Sequence, residues 1–277
     1  MATVLPSDGA ASPVDSAGGA SRDRAMGLWE HLMELRARLI RSALVLAAGF
    51  VVAAAFSPRI VAFLRAPLDD YNRANPDAPV LVIALDPAAG FSALISVGLF
   101  GALGLAAPWI GWELWRFVKP ALGGRAPIGV GRFAAAVGVL FWAGAAAGYF
   151  LASRATLAFF FSLNAAFGIA PTTGLGEYIG MMVALMTGFG LGFELPAAMM
   201  LLARLGLVSS GFYRARRRYA IVAAFVAGAV LTPPDVPSQA IMAGCLLALY
   251  ELGIRLAAAA ERRGDLHAPV PASTGGR

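Results

Sequence analysis

The sequence has few of the side chains on which catalytic and metal sites depend. Its 277 residues include 1 cysteine and 2 histidines, which excludes the common zinc sites and an internal disulfide. His31 and His267 have no serine or acid placed to form a catalytic relay. A glycine-rich loop followed by lysine, which would indicate a phosphate site, is also missing. We therefore expect no enzyme activity, no cofactor and no metal, and Cys245 is interpreted as a small packing residue.

Charged residues are scarce as well. They make up 14% of the chain against 59% hydrophobic residues, and the mean hydropathy is +0.72. This composition is typical of a polytopic helical membrane protein, so we predict an all-α fold. The fifth of six predicted spans is short, about 20 Å of helix against a hydrocarbon core of about 30 Å. The six spans are residues 39–56, 91–112, 133–151, 178–202, 219–231 and 238–256.

Basic residues are concentrated on one side of these spans. Only Arg59, Arg65, Arg73 and Arg154 fall on the other side, which leaves 18 of the 22 lysines and arginines on the first. By the positive-inside rule both termini are cytoplasmic, and the basic balance reflects topology, not nucleic-acid binding. Residues 1–25 lack the apolar core of a cleaved signal. They and residues 259–277 are predicted to be disordered tails around a transmembrane domain of residues 26–258.

Glu194 is an acid within the apolar fourth span. An ionised side chain at the bilayer centre costs about 3 kcal/mol even on mild scales, so such a residue usually faces a cavity, a partner or a proton path. One interpretation is a proton-coupled small-molecule transporter with Glu194 as the protonatable site, in which Pro196 breaks the helix. Against it, we expect no second buried acid or lysine to supply a relay. Gly188 and Gly192 have the spacing of a weak helix-contact signal.

Residues 28–39 form an amphipathic pattern before the first span. Leucines recur at helical spacing on one face, while Glu30, Glu34 and Arg38 share another. This pattern predicts a helix at the membrane interface. A membrane anchor with i,i+4 salt bridges is the simpler interpretation of the three charged residues, and a binding site is the alternative.

Prolines mark two further segments. Residues 57–90 are predicted to be an ordered extracytoplasmic cap of short helices and turns, in which prolines such as Pro67 break long helices. Between spans five and six, Pro233 and Pro234 stiffen a tight extracytoplasmic turn, and Asp235 can cap the helix that follows.

Several stretches in a fixed order together resemble the TatC family, the receptor subunits of the twin-arginine protein translocase. The resemblance runs from residue 28 to about residue 255. The matching stretches are residues 31–39 (HLMELRARL), 66–68 (APL), 107–108 (AP), 115–122 (WRFVKPAL), 189–196 (FGLGFELP), 217–219 (RRY), 231–239 (LTPPDVPSQ) and 249–251 (LYE).

The resemblance implies a concave bundle with short spans five and six in the bacterial inner membrane. It also implies binding of twin-arginine signal peptides, assembly with single-span TatA and TatB partners and with further copies of the same chain, and export of folded proteins driven by the proton-motive force. Glu34 matches the signal-binding glutamate, and Arg36 and Phe117 match positions needed for receptor function. Glu194, Thr232, Gln239 and Asp235 fall in stretches linked to translocation or partner-helix contact, although ordinary interfacial polar residues remain an alternative for Thr232 and Gln239. Pro67, Pro120, Pro196, Pro233 and Pro234 are interpreted as structural.

One departure from the family concerns the loop after Pro120. The family usually supplies a second carboxylate there, but no acid occurs between Glu113 and Glu177. We hypothesise that Glu34 binds one signal arginine and that Glu30, Glu113 or a backbone carbonyl near Gly123 binds the other.

Overall fold

The computed structural model describes residues 16–76, 79–119, 129–169 and 172–265. The chain divides between Arg41 and Ser42 into two units. The helices are α1 (Ser16–Ala55), α2 (Ser57–Ala74), α3 (Ala89–Val118), α4 (Val130–Ala147), α5 (Ser153–Ala166), α6 (Leu175–Phe193), α7 (Leu195–Arg204), α8 (Ser210–Ala215), α9 (Arg217–Leu231) and α10 (Val236–Asp265), and a π-helical segment (Gly148–Ala152) joins α4 to α5.

Five helical segments of the described residues are long and apolar enough to cross a membrane. They are Leu32–Ala55, Ala89–Val118, Val130–Ala166, Leu175–Arg204 and Val236–Arg262. These segments contain most of predicted spans one, two, three, four and six, so the chain is a helical membrane protein. The predicted fifth span lies on α9, whose 15 residues give only about 22 Å of helix. A count of six spans therefore stays a prediction.

The ends of the chain are more helical than the sequence indicates. The amphipathic stretch and the first predicted span lie on one continuous helix, α1, which begins at Ser16, and α10 continues to Asp265. Both helices enter the predicted tails 1–25 and 259–277. The outer parts of those tails, residues 1–15 and 266–277, lie outside the described residues.

The third span corrects the predicted boundary at residue 151. The helical segment continues to Ala166, a length of 37 residues, or about 55 Å against a hydrocarbon core of about 30 Å. Its far end therefore projects from the bilayer, where Arg154 lies 3.9 Å from Asp70 of α2. Polar residues such as Ser162 and Asn164 interrupt the apolar run without ending the helix.

Pro67 does not break a helix as expected but lies buried inside the 18 residues of α2. A proline inside a helix removes the N–H that the carbonyl four residues earlier would accept. Here that carbonyl belongs to Phe63, and it accepts a hydrogen bond of 2.9 Å from the Tyr149 hydroxyl. The Leu64 carbonyl accepts one of 2.8 Å from the Tyr178 hydroxyl. Two tyrosines on other helices thus hold the turn around Pro67.

The same arrangement recurs inside α3. Pro108 leaves the carbonyl of Gly104, four residues earlier, without its helical donor. That carbonyl accepts a hydrogen bond of 3.2 Å from the Trp142 indole N–H of α4. The main core lies between α3, α4 and α6, and its buried residues include Val97, Phe100, Phe141, Ile179 and Met182.

A small parallel sheet supplements the helices. β1 (Leu81–Ile83) pairs with β2 (Thr172–Gly174), with Leu81 opposite Thr172. The Asn72 side chain holds the approach to β1, because it accepts from the Val80 N–H at 2.9 Å and donates to the Val80 carbonyl at 3.0 Å. The all-α prediction missed this pair, since three residues are too few for an alternating pattern.

Candidate functional site

The polar face of α1 carries Glu34 and Arg38 one turn apart. The Arg38 Nε donates to Glu34 Oε1 at 3.2 Å, and its Nη2 contacts the same oxygen. The Glu34 side chain is 42% exposed and that of Arg38 11%. Arg36 is exposed. The backbone of Glu30 belongs to α1, but its side chain lies outside the described residues.

The second unit holds the other predicted receptor residues at the end of α3. Glu113 is 4% exposed, and Phe117 is half-buried. Between them Trp115 stacks on Phe133 with ring centres 4.8 Å apart, and the Arg204 guanidinium lies 5.7 Å from the Trp115 ring centre. Pro120 and the loop through residue 128, including the backbone near Gly123, lie outside the described residues.

Glu194 lies at a break in the fourth span. α6 ends at Phe193 and α7 begins at Leu195, with Pro196 in the first turn of α7. Pro196 has no N–H to continue the hydrogen bonding of α6, which explains the break. The 10 residues of α7 extend about 15 Å, so Glu194 lies roughly half a hydrocarbon thickness from the end of the span.

The Glu194 side chain is half-buried. Its Oε1 is buried and has no hydrogen-bond partner among the described residues. A buried carboxylate oxygen without a hydrogen-bond donor is unfavourable. Binding of another molecule, or a change in helix packing, that brings a donor to Glu194 would therefore be favoured. Two further acids, Glu113 and Asp235, are buried at 4% and 3% exposed. That no second acid or lysine supplies a proton relay to Glu194 stays a prediction.

Two glycines bring α6 against the α9–α10 hairpin beside Glu194. A Cβ at Gly188 would meet the Leu231 carbonyl of α9, and a Cβ at Gly192 would lie 3.2 Å from Leu246 of α10. The helix contact predicted from their spacing is therefore present. Next to it is a groove of about 210 Å³ lined by Leu195, Ala220, Ala223, Ala224, Ala227, Leu246 and Tyr250.

Asp235 caps α10 as predicted. Its Oδ1 accepts the Ser238 N–H at 2.7 Å, and its Oδ2 accepts the Ser238 hydroxyl at 2.6 Å. The Thr156 hydroxyl of α5 lies 3.3 Å from both oxygens. Sequence reasoning missed Thr156, because no local pattern links it to Asp235, 79 residues away.

The other polar residues of the hairpin bond within it. The Thr232 hydroxyl donates to the Gly228 carbonyl at 2.9 Å, and the Gln239 side-chain amide donates to the Phe225 carbonyl at 3.2 Å. Pro233 and Pro234 form the turn, where the Pro233 carbonyl accepts the Asp235 N–H at 2.7 Å. Gln239 therefore joins α10 to α9, and Thr232 closes the end of α9.

These features define a class of protein, a polytopic helical membrane protein with a span broken at a half-buried acid. Within the described residues no group of three or more His, Cys, Asp or Glu could hold a metal ion. The model of the family described as Sec-independent protein translocase protein (TatC) matches residues 30–244. The chain belongs to the TatC family of translocase components, which is not a family of enzymes.

Relatives and a solved structure agree with this assignment. The TatC protein of Magnetococcus marinus is 34% identical over 236 residues, which cover 85% of this chain and 85% of that protein. The TatC protein of Escherichia coli K12 is 35% identical over 225 residues, covering 81% and 85%. A crystal structure of the twin arginine translocase receptor TatC matches with a TM-score of 0.71 at 32% identity, over 84% of this chain and 100% of that one.

Proposed function

We propose that this protein is the receptor subunit of a twin-arginine translocase and that Glu34 binds an arginine of the signal peptide. The observation that carries the proposal is the exposed Glu34 carboxylate, which already accepts the guanidinium of Arg38. Arginine and carboxylate form charge-assisted, often bidentate hydrogen bonds. An i,i+4 helix pair contributes only about 0.3–0.5 kcal/mol, and the Glu34 side chain is 42% exposed, so an arginine of the signal can compete with Arg38 for the carboxylate.

The second signal arginine needs another acceptor, because the sequence has no acid after Pro120 until Glu177. Glu30 lies about one helical turn before Glu34 on α1. Glu113 is 4% exposed, so an arginine reaches it only if the end of α3 rearranges. A carbonyl near Gly123 is the remaining candidate, and Arg36 and Phe117 are assigned supporting roles in the receptor.

The protein lies in the bacterial inner membrane, with α9 as a short fifth span, tails at the two ends and both termini in the cytoplasm. Single-span TatA and TatB proteins, and further copies of this chain, assemble with it to export folded cargo using the proton-motive force. Glu194 is next to Leu195, which lines the groove whose wall includes four alanines of α9, and small side chains suit a close-packed partner helix. Thr232 and Gln239 are assigned to partner contact from the family resemblance.

The test is export of a folded reporter with a twin-arginine signal in cells that lack their own receptor. The unchanged chain should restore export and Glu34→Gln should abolish it, because the amide cannot form a charged pair with arginine. Arg38→Gln is the matched control, since it removes the same ion pair but keeps the carboxylate. Equal loss of export in both variants would show that Glu34 acts only through its ion pair with Arg38.

The second acceptor is tested by crosslinking the signal peptide to Glu30→Gln and Glu113→Gln variants. Weaker crosslinking in one variant identifies that residue as the second acceptor. Unchanged crosslinking in both removes both acids and leaves the backbone near Gly123.

A further inference from the structure

A hollow lined by arginines lies where α8 meets the end of α10. It has a volume of about 390 Å³ and is lined by Arg214, Arg255, Ala258, Ala259 and Arg262. Arg255 and Arg262 are about two turns apart on α10, so they share one face with the two alanines between them. The small alanine side chains leave room for a cavity between the arginines, and Arg214 of α8 lines one side of this cavity. We call this feature the basic hollow.

The acids near the basic hollow are already engaged elsewhere. Glu261 accepts both the N–H and the hydroxyl of Ser210 at 2.5 Å, and Glu251 pairs with Arg217 at 2.8 Å. In the part of the chain that the structure describes, the three arginines of the hollow have no ion pair. Three like charges around one space repel each other unless an anion lies between them.

Two arginines close to Arg214 in the sequence contact aromatic rings instead of lining the hollow. Arg216 lies 4.8 Å from the ring centre of Phe212, and Arg218 lies 4.9 Å from that of Tyr219. Their charges are thus held by aromatic faces outside the hollow. If these arginines only set the topology, it would not matter which of them contact aromatic rings. A binding site, by contrast, needs several arginines that face one space and can bind a ligand.

The depth of the hollow identifies the kind of anion. Arg255 lies about 28 Å along α10 from Val236, close to the hydrocarbon thickness of about 30 Å, so the hollow lies at the edge of the bilayer, where lipid phosphates are. About one turn further into the span, Leu252, the i−3 neighbour of Arg255 on α10, is 42% exposed. A phospholipid fits both features, because its phosphate meets the arginines and an acyl chain meets Leu252. A small free anion would use only the first.

We propose that the basic hollow binds the phosphate of an anionic phospholipid, one of whose acyl chains packs on Leu252. The planar guanidinium groups donate paired N–H groups to the phosphate oxygens. The bound lipid then bridges α8 and α10 and fixes the end of the last span at the head-group layer.

The experiment titrates the purified full-length protein in detergent with phosphatidylglycerol or phosphatidylcholine and counts bound lipids by native mass spectrometry. Phosphatidylglycerol, which is anionic, should bind more tightly than phosphatidylcholine. Arg214→Gln and Arg255→Gln should each weaken its binding about fivefold. Arg216→Gln, which removes a charge from the same segment but outside the hollow, should leave binding unchanged. Ala259→Leu changes no charge and should also weaken binding, because it fills the hollow.

Three results would overturn the proposal. Equal weakening by Arg216→Gln would show that net charge alone attracts the lipid. Full binding by Ala259→Leu would show that the hollow is not occupied. Displacement of the lipid by millimolar inorganic phosphate would assign the arginines to a free anion instead. Circular dichroism of each variant confirms that a lost lipid does not reflect a lost fold.

Discussion

Glu194 combines a mid-span position with a carboxylate oxygen that has no hydrogen-bond partner among the described residues. Natural proteins keep unsatisfied polar groups of this kind mainly where function needs them, because each costs about 1–3 kcal/mol. The helix break beside Glu194 exposes the group to a change of packing that an unbroken helix would resist.

We predict that Glu194→Gln impairs export while signal binding stays intact, because Glu34 belongs to a different unit of the chain. Reporter export and signal crosslinking are measured in the same cells. Glu177→Gln is the matched control, since Glu177 is an exposed acid in the first turn of the same span. Normal export by Glu194→Gln beside failure of Glu34→Gln would leave Glu194 without a functional role.

The sequence predicted some of these residues and could not predict others. The break at Glu194 follows from Pro196, and the cap of α10 follows from an aspartate just before a helix, so both are local signals. The burial of Glu113 at 4% exposure and the contact of Thr156 with Asp235 depend on which helices pack together. No spacing along the chain encodes those contacts.

At the scale of helices, the prolines and the aromatic donors act in pairs. Pro67 with Tyr149 and Pro108 with Trp142 each join a freed carbonyl on one helix to a polar aromatic group on another. In lipid or in a buried core a freed carbonyl needs such a donor, since water cannot supply it. The pairs therefore fix how neighbouring helices are placed against each other.

This pairing predicts a coupled effect of two substitutions. Tyr149→Phe alone should lower the free energy of unfolding by about 1 kcal/mol, because it leaves the Phe63 carbonyl without a donor. In a Pro67→Ala background the same change should cost clearly less, since the backbone N–H that this variant gains can bond to the Phe63 carbonyl. Thermal unfolding of the four proteins in detergent measures the coupling. Simple additivity would show that the hydroxyl matters for another reason.

Helix positions were the most predictable elements, but their lengths were not. Hydropathy located the starts of predicted spans two, four and six within about three residues of the starts of α3, α6 and α10, but it ended spans two and six too early. It ended the third span too early, because Arg154, Ser162 and Asn164 interrupt the apolar run in a part of the helix that no longer needs to be apolar. Three-residue strands carry no comparable signal.

At the scale of the whole molecule, the number of spans decides on which side the α9–α10 turn lies. If α9 crosses the membrane, residue 234 and residue 207 are on opposite sides. If it does not, they are on the same side. Both residues are exposed, so each can report its side.

We expect opposite sides, with both termini cytoplasmic. Cys245 is the only cysteine, so a Cys245→Ala chain accepts single reporters at Asn75→Cys, Leu207→Cys and Pro234→Cys. A membrane-impermeant maleimide added to intact spheroplasts should label positions 75 and 234 and should label position 207 only after permeabilisation. Labelling of 234 together with 207 would remove α9 from the list of spans.

The π-helical segment Gly148–Ala152 changes the side of the helix on which the residues after it lie. A π turn inserts about one extra residue, which rotates everything after it by roughly 100° relative to a continuous α-helix. Before it, α4 faces α3 and α6; after it, α5 directs Arg154 towards Asp70 and Thr156 towards Asp235. The continuous helix from α4 to α5 can thus pack against two sets of neighbours that lie on different sides of it. A helical wheel drawn straight through Gly148 would assign the wrong side to every residue beyond it.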